Sequence, residues 1–203
     1  MRFPIFASFL MFCAWFAYVL HKRKKQESKA YEDFWAEEHK ANNTRRKSLE
    51  DIDLISVPLD QLPFDILNED EQIQDYHRTI QLLSEEPVAN FTGITNTELK
   101  LRYGAPNLEI LSLYDQRYTS LVRTLQDWAQ YLHGKNFSHE ALKILNYAIE
   151  INTDIYASYE LYLSLCNELN IPYDSDYLKN KAQTINSSSK NRILKLLTSL
   201  ETE

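Results

Sequence analysis

The chain holds three glycines in 203 residues, Gly93, Gly104 and Gly134, and that scarcity bounds its architecture more tightly than any motif. Glycine lets a backbone turn back with positive φ at no steric cost, and a content of about 7% is usual. A turn-dense β-sandwich or a glycine-rich phosphate loop has too few such positions to be built from. Leu, Ile, Tyr, Glu, Lys and Asn dominate instead, which predicts an all-α fold with an aromatic-rich core. The length suits one membrane segment and one modest domain.

Charge is unevenly spread. From Lys22 to Lys47 nine Lys/Arg face five acids, a net of +4, whereas from Ser48 to Asn90 eleven acids face Arg78 alone, a net of −10. The remainder to Glu203 is nearly balanced at −2. The acidic block repels phosphate, so nucleic acid is excluded as a partner, while the basic stretch suits anionic lipid headgroups. With Cys13 in an apolar run and Cys166 on an expected helix, no disulfide framework is available.

Phe3 to Leu20 is eighteen residues without a charge. At ~1.5 Å per residue it extends about 27 Å, close to a ~30 Å hydrocarbon core. Residues 1–21 are therefore expected to be an uncleaved transmembrane anchor. A cleaved signal peptide carries its charge before the apolar run and a small-residue site after it; here Lys22, Arg23, Lys24 and Lys25 follow the run. A lipoprotein anchor needs a small residue before Cys13, where Phe12 stands. A buried core helix is the other alternative. The basic cluster outweighs Arg2, which predicts an outside N-terminus and a cytoplasmic remainder, a single-pass plasma-membrane localisation.

Residues 22–53 read as a basic helical stalk. Tyr31, Phe34 and Trp35 fall at i, i+3 and i+4, a stripe expected to pack on the domain, with dimerisation as the alternative. Residues 54–67 carry Pro58 and Pro63 and read as an extended strap. Residues 68–121 read as the helical first part of the domain. Ile73, Tyr76, Ile80 and Leu83 mark one helix, opened by Glu69, Asp70 and Glu71, which complement its dipole. Thr95-x-x-Glu98 is a capping-box pattern for a short helix ending at Gly104, and a long helix follows from about Leu108 to His133.

Residues 122–203 repeat. When the segment is slid along itself until Leu125 meets Tyr159, Trp128 falls on Tyr162, Leu132 on Cys166, Ile144 on Leu178 and Ala148 on Ala182. That is a period of about 34 residues, typical of stacked two-helix units. Ala141, Leu145 and Ala148 give the second helix of the first unit a face that admits close approach. Asn136 can take the left-handed turn conformation, and Thr153-Asp154 reads as a cap for the next helix. In these residues the segment resembles tetratricopeptide repeats, over about two units from Val122 to Ile185, with Asn191 to Leu200 as the closing cap. The second unit departs from the pattern, with Leu163 in the register of Ala129 and Ser175 in that of Ala141; Thr153 stands at the family's closing proline. The resemblance implies antiparallel helical hairpins whose first helices line a groove for extended peptides or partner helices. Carried over by position, the groove residues are Arg123, Gln126, Gln130, His133, Glu160, Ser164 and Asn167. The whole chain also resembles uncharacterised single-span membrane proteins of anaerobic Gram-positive bacteria, in its basic flank and in the stretches AYEDFWAEEHKANNTRRKSL and GITNTELKLRYGAPN; that likeness implies architecture only.

The sequence contains no G-x-S-x-G, P-loop or H-E-x-x-H pattern. His133 and His139 straddle a turn without a third ligand at metal spacing, Cys166 reads as core, and the acids between Glu69 and Asp75 lack the spacing of a calcium loop. The expectation is a membrane-tethered, non-enzymatic scaffold without cofactor or metal. It would bind an unidentified cytoplasmic protein through its hairpins, and lipid through the anchor and basic flank. The alternatives are a self-associating structural envelope protein, a homo-oligomer, and an enzyme subunit with a site around His133 and His139.

Overall fold

The computed structural model describes residues 3–199, the side chains of residues 3–6 and 26 excepted. All regular structure among the described residues is helical: α1 Phe3–Asn42, α2 Glu71–Ser84, α3 Asn96–Tyr103, a 3-10 turn Ala105–Asn107, α4 Leu108–Gly134, α5 Ser138–Glu150, α6 Tyr156–Glu168, α7 Ser175–Thr184 and α8 Lys190–Ser199. The all-α class is as expected from the glycine scarcity.

The expected N-terminal transmembrane helix is corrected. Among the described residues no helix is long and apolar enough to cross a membrane. α1 is 40 residues long, and its apolar N-terminal stretch passes without a break into a strongly charged one. The expected span's residues 1–6 lie outside the described side chains. Lys22, Arg23, Lys24 and Lys25 then continue the same helix, all exposed. The single-pass plasma-membrane localisation, with its outside N-terminus and cytoplasmic domain, rested on that span and falls with it.

The chain divides into two compact units, residues 1–47 with 96–107, and residues 48–95 with 108–203. In the first, α3 lies against the end of α1. Glu38 on α1 receives the Lys100 ammonium at 2.5 Å and the Thr97 hydroxyl at 2.6 Å. Those two donors, Lys100 foremost, hold the Glu38 carboxyl below its ordinary range. Gly104 stops α3 at φ +94°, and a Cβ there would run into the Arg45 carbonyl. The expected helical stalk ends at Asn42, ahead of residue 53. Its stripe is not packed away: the Trp35 ring meets those of Tyr31 and Phe34 edge to face, and all three remain exposed.

In the second unit the expected strap is free of turns only over residues 54–58, where the Ile55 amide donates to the Val88 carbonyl at 2.8 Å, and runs through successive turns from residue 59 onward. Asp70 caps α2, accepting from the amides of Gln72 and Ile73. α2 buries Ile73, His77 and Ile80 and packs on α4, which pairs with α5; α6 follows on α5. Leu121, Leu125, Leu132, Ile144 and Leu145 have no exposed surface, each contributing about 1.5–3 kcal/mol on burial. α4, α5 and α6 end alike. Asn136, Asn152 and Asn170 take left-handed φ of 67°, 62° and 53°. The amides of Phe137, Thr153 and Ile171 return to the carbonyls of Leu132, Ala148 and Cys166 at 2.9–3.0 Å, the bond that closes a Schellman motif. Thr153 is not the cap expected of it: Ile155 occupies that position, and Thr153 is fully buried. Ile193 and Leu197 of α8 are buried, while Leu200 of the expected closing cap lies outside the described residues.

Candidate functional site

α4 meets a neighbour on three sides, and its fourth side faces out. Its leucines join α5 in the core. Gln126 turns toward α6, where its Oε1 accepts the Ser158 hydroxyl at 2.6 Å with both residues buried. Trp128 and Tyr131 turn toward the strap and α2. The Trp128 ring meets Phe64 and His77 at centroid distances of 5.4 and 5.0 Å, and the Tyr131 hydroxyl donates to Asp70 at 2.8 Å. The Asp70 carboxyl is held below its ordinary range, first by that hydroxyl. Lys135 adds a 3.4 Å ion pair to Asp70 while lying 5.1 Å from the Tyr131 ring centre. Arg123, Asp127 and Gln130 of α4 are exposed.

Five of the seven groove residues expected from the repeat register stand in the open: Arg123 and Gln130 on α4, Glu160, Ser164 and Asn167 on α6. Gln126 and His133 do not. Gln126 is the buried link to α6, and His133 Nδ1 lies 3.1 Å from the Ser138 hydroxyl. That hydroxyl in turn donates to Glu168 at 2.9 Å, and His133 is 4.0 Å from the same carboxylate. His133, Ser138 and Glu168 thus join the end of α4, the start of α5 and the end of α6. Ser138 is buried, and the three side chains lie within 4.0 Å of one another, so that they tie the three helix ends together.

A second polar feature escaped the repeat register. A cavity of about 420 Å³ opens between α2 and α4, lined by Tyr76, Asp127, Gln130, Tyr131, Gly134 and Lys135. Its two tyrosine rings meet edge to face at 6.2 Å. The register could not include it, since α2 lies outside the repeated segment. The one signal was Tyr76, on the same apolar helical spacing as Ile73 and Ile80.

His139 is exposed and takes no part in the His133 network. Among the described residues no group of three or more His, Cys, Asp or Glu side chains could hold a metal ion. Cys166 is buried, and burial pushes its thiol up, away from the thiolate that nucleophilic chemistry needs. Matched against protein-family models, curated proteins and solved structures, the chain finds no counterpart in any of the three.

Proposed function

We propose that this protein is a helical binding module that offers the outer faces of α4 and α6, walled on one side by α2, to a segment of a partner protein. One observation carries the reading: Arg123, Gln130, Glu160, Ser164 and Asn167 stand exposed on helices whose opposite faces are locked into the core. Rigid helices with outward polar side chains bind without ordering cost, and the repeat register picks out these positions independently. The reading includes no reaction, because the His133, Ser138 and Glu168 cluster is wired as a helix tie. A crosslinker placed at Ser164 tests it in three arms. Wild type should capture a discrete partner, Arg123→Ala/Gln130→Ala/Glu160→Ala should lose it, and Lys143→Ala/Asn146→Ala on the exposed side of α5 should keep it. A partner retained by the first variant sinks the reading.

A second reading, self-association, is favoured by the exposed Tyr31, Phe34 and Trp35 on α1, with Trp35 still 43% exposed. Such a contiguous aromatic stripe on a polar helix suits a copy of itself. Light scattering of wild type against Phe34→Glu/Trp35→Glu decides it: a wild-type monomer ends this reading.

A further inference from the structure

The cavity of about 420 Å³ between α2 and α4 adjoins the proposed binding face, since Gln130 belongs to both. Asp127, Gln130, Tyr131, Gly134 and Lys135 recur at three- and four-residue spacing, so one face of α4 supplies them all, and Tyr76 of α2 completes the lining. At Gly134 a Cβ would meet nothing within 4 Å, so the cavity stays open there. Aromatic walls with a few polar groups, at this volume, are what a buried ligand group needs.

Two tyrosine–carboxylate pairs stand at this cavity, and the chain supplies a cation to only one of them. In the first, Lys135 Nζ lies 5.1 Å from the Tyr131 ring centre and 3.4 Å from Asp70. A cation over an aromatic ring is favourable in itself, and the acid adds to it. In the second, Tyr76 and Asp127 share the lining. Their closeness is felt at the Tyr76 hydroxyl, which is raised by burial foremost and then by the Asp127 charge. Asp127 takes part in no ion pair among the described residues: Arg123, one turn away on α4, is not joined to it, and Lys135 is held by Asp70. The two tyrosine rings meet edge to face at 6.2 Å, so the pairs are neighbours. An anion has no comparable opening, because the one cation of the lining, Lys135, is already paired.

We infer that a basic side chain of the partner segment enters this cavity, its cation lying over the Tyr76 ring and pairing with Asp127. The Gln130 amide oxygen offers it a further acceptor. This deepens the reading of the α4/α6 face and rests on it, naming the anchor that a bound segment carries. Charge complementarity selects the residue class, and the aromatic wall favours arginine over lysine, because a planar guanidinium stacks on a ring.

Titration of the isotope-labelled full chain at low salt with acetyl-Gly-Arg-Gly-amide, read by amide NMR, tests the inference; acetyl-Gly-Gln-Gly-amide is the uncharged counterpart. The arginine peptide should shift the Gln130 and Gly134 amides to saturation, and the glutamine peptide should leave them in place. Asp127→Asn should weaken binding about fivefold and Tyr76→Leu about threefold. Asp60→Asn/Asp65→Asn, on the acidic strap, should leave it within about twofold. Circular-dichroism melts check each fold; Asp127 is exposed, so its variant keeps the test alive if Tyr76→Leu unfolds. An equal response to both peptides, indifference to Asp127→Asn, or shifts spread along the acidic strap instead of Gln130 and Gly134 would each overturn the inference. The crosslink at Ser164 separates its failure from that of the binding face. A captured partner without a saturable arginine response ends the inference alone, and a saturable response without a captured partner keeps the cation site and ends the α4/α6 reading.

Discussion

In the pair α4 and α5, Ala129, Ala141 and Ala148 are fully buried, and the two helices run closely together along their length. In α6 and α7, one repeat period further on, Leu163 stands in the register of Ala129 and Ser175 in that of Ala141. The two backbones do not approach each other as α4 and α5 do; α7 packs on α8 and α5 instead, and α6 on α5 and α8. Interhelical distance follows the side chains at the crossing. An alanine against an alanine admits a near neighbour, and a leucine fills the same space itself. The lesson is local: a repeat can keep its turns and its register and still lose its hairpin through one volume change. The turns indeed survive, since Asn136 and Asn170 stand one full period apart and close with the same bond.

The sharpest way to break this contrast is to remove the bulk that separates the pairs. Leu163→Ala should cost about 2–4 kcal/mol, the range for a buried leucine whose cavity does not collapse. Urea unfolding measures it. A loss below about 1 kcal/mol would mean that α7 closes into the space, so that Leu163 was never what held the helices in place. The converse change, Ala129→Leu, imports the second pair's bulk into the first and should cost about 1–3 kcal/mol by overpacking. If it is neutral, the close crossing of α4 and α5 does not depend on small residues.

Acid should loosen α2 from the first pair. His77 docks α2 on α4 beside Phe64 and Trp128, and its Nε2 has no hydrogen-bond partner. Burial alone lowers its pKa, so the folded chain favours the neutral ring while the unfolded chain binds the proton. Stability is then complete above the ~6.5 of a free histidine and is lost as pH falls through that value toward the lowered folded one. Melting temperatures between pH 8 and pH 5 should fall for wild type, and His77→Leu should flatten that part of the decline. A parallel decline in both proteins would place the acid-sensitive group elsewhere.

The shared turns make a smaller test. Asn136→Ala and Asn170→Ala each put a Cβ-bearing residue without a local polar side chain at positive φ, at about 1 kcal/mol. Equal losses support the common turn; a loss at one site only would show that the two ends differ in more than their helix spacing.

These residues also mark how far the sequence could be read. Helix boundaries came close because Asp70, Gly104 and Asn136 are punctuation with a local cause, and local causes are visible in sequence. The apolar faces of α2, α4 and α5 were legible for the same reason, through their helical spacing. The membrane span was misjudged because charge and length were weighed over Phe3 to Leu20, whereas α1 runs on through Lys25 to Asn42 as one helix. Of the expected groove residues, Arg123, Gln130, Glu160, Ser164 and Asn167 are exposed, whereas Gln126 is buried and His133 lies against Ser138. A polar residue that bonds across a helix contact looks like a surface residue until its partner is known, and Ser158 and Ser138 carry no signal of that role. The α2 wall sets Tyr76 beside Tyr131, and a hollow at the C-terminal end of α5 sets Asp53 in one lining with Glu150 and Asp154. Segments so distant along the chain meet only through the fold, and no period or local pattern records the meeting.

The smallest expected effect joins the packing contrast to the binding face. Gly134 closes α4 and stands in the register of Glu168 on α6. A Cβ there would meet nothing within 4 Å, and its φ is not among the positive ones. Gly134→Ala should therefore stabilise the chain by roughly 0.5 kcal/mol, mainly by removing freedom from the unfolded state. The same methyl group would enter the rim of the α2/α4 cavity beside Gln130. Melting and partner capture measured on the one variant thus answer separate questions. A higher melting temperature with unchanged capture confines the partner to the α4/α6 face. A higher melting temperature with weakened capture extends the contact across α4 to Tyr76 and Tyr131. A lower melting temperature would mean that the end of α4 needs glycine after all, and that the first pair's turn is tighter than its left-handed Asn136 alone accounts for.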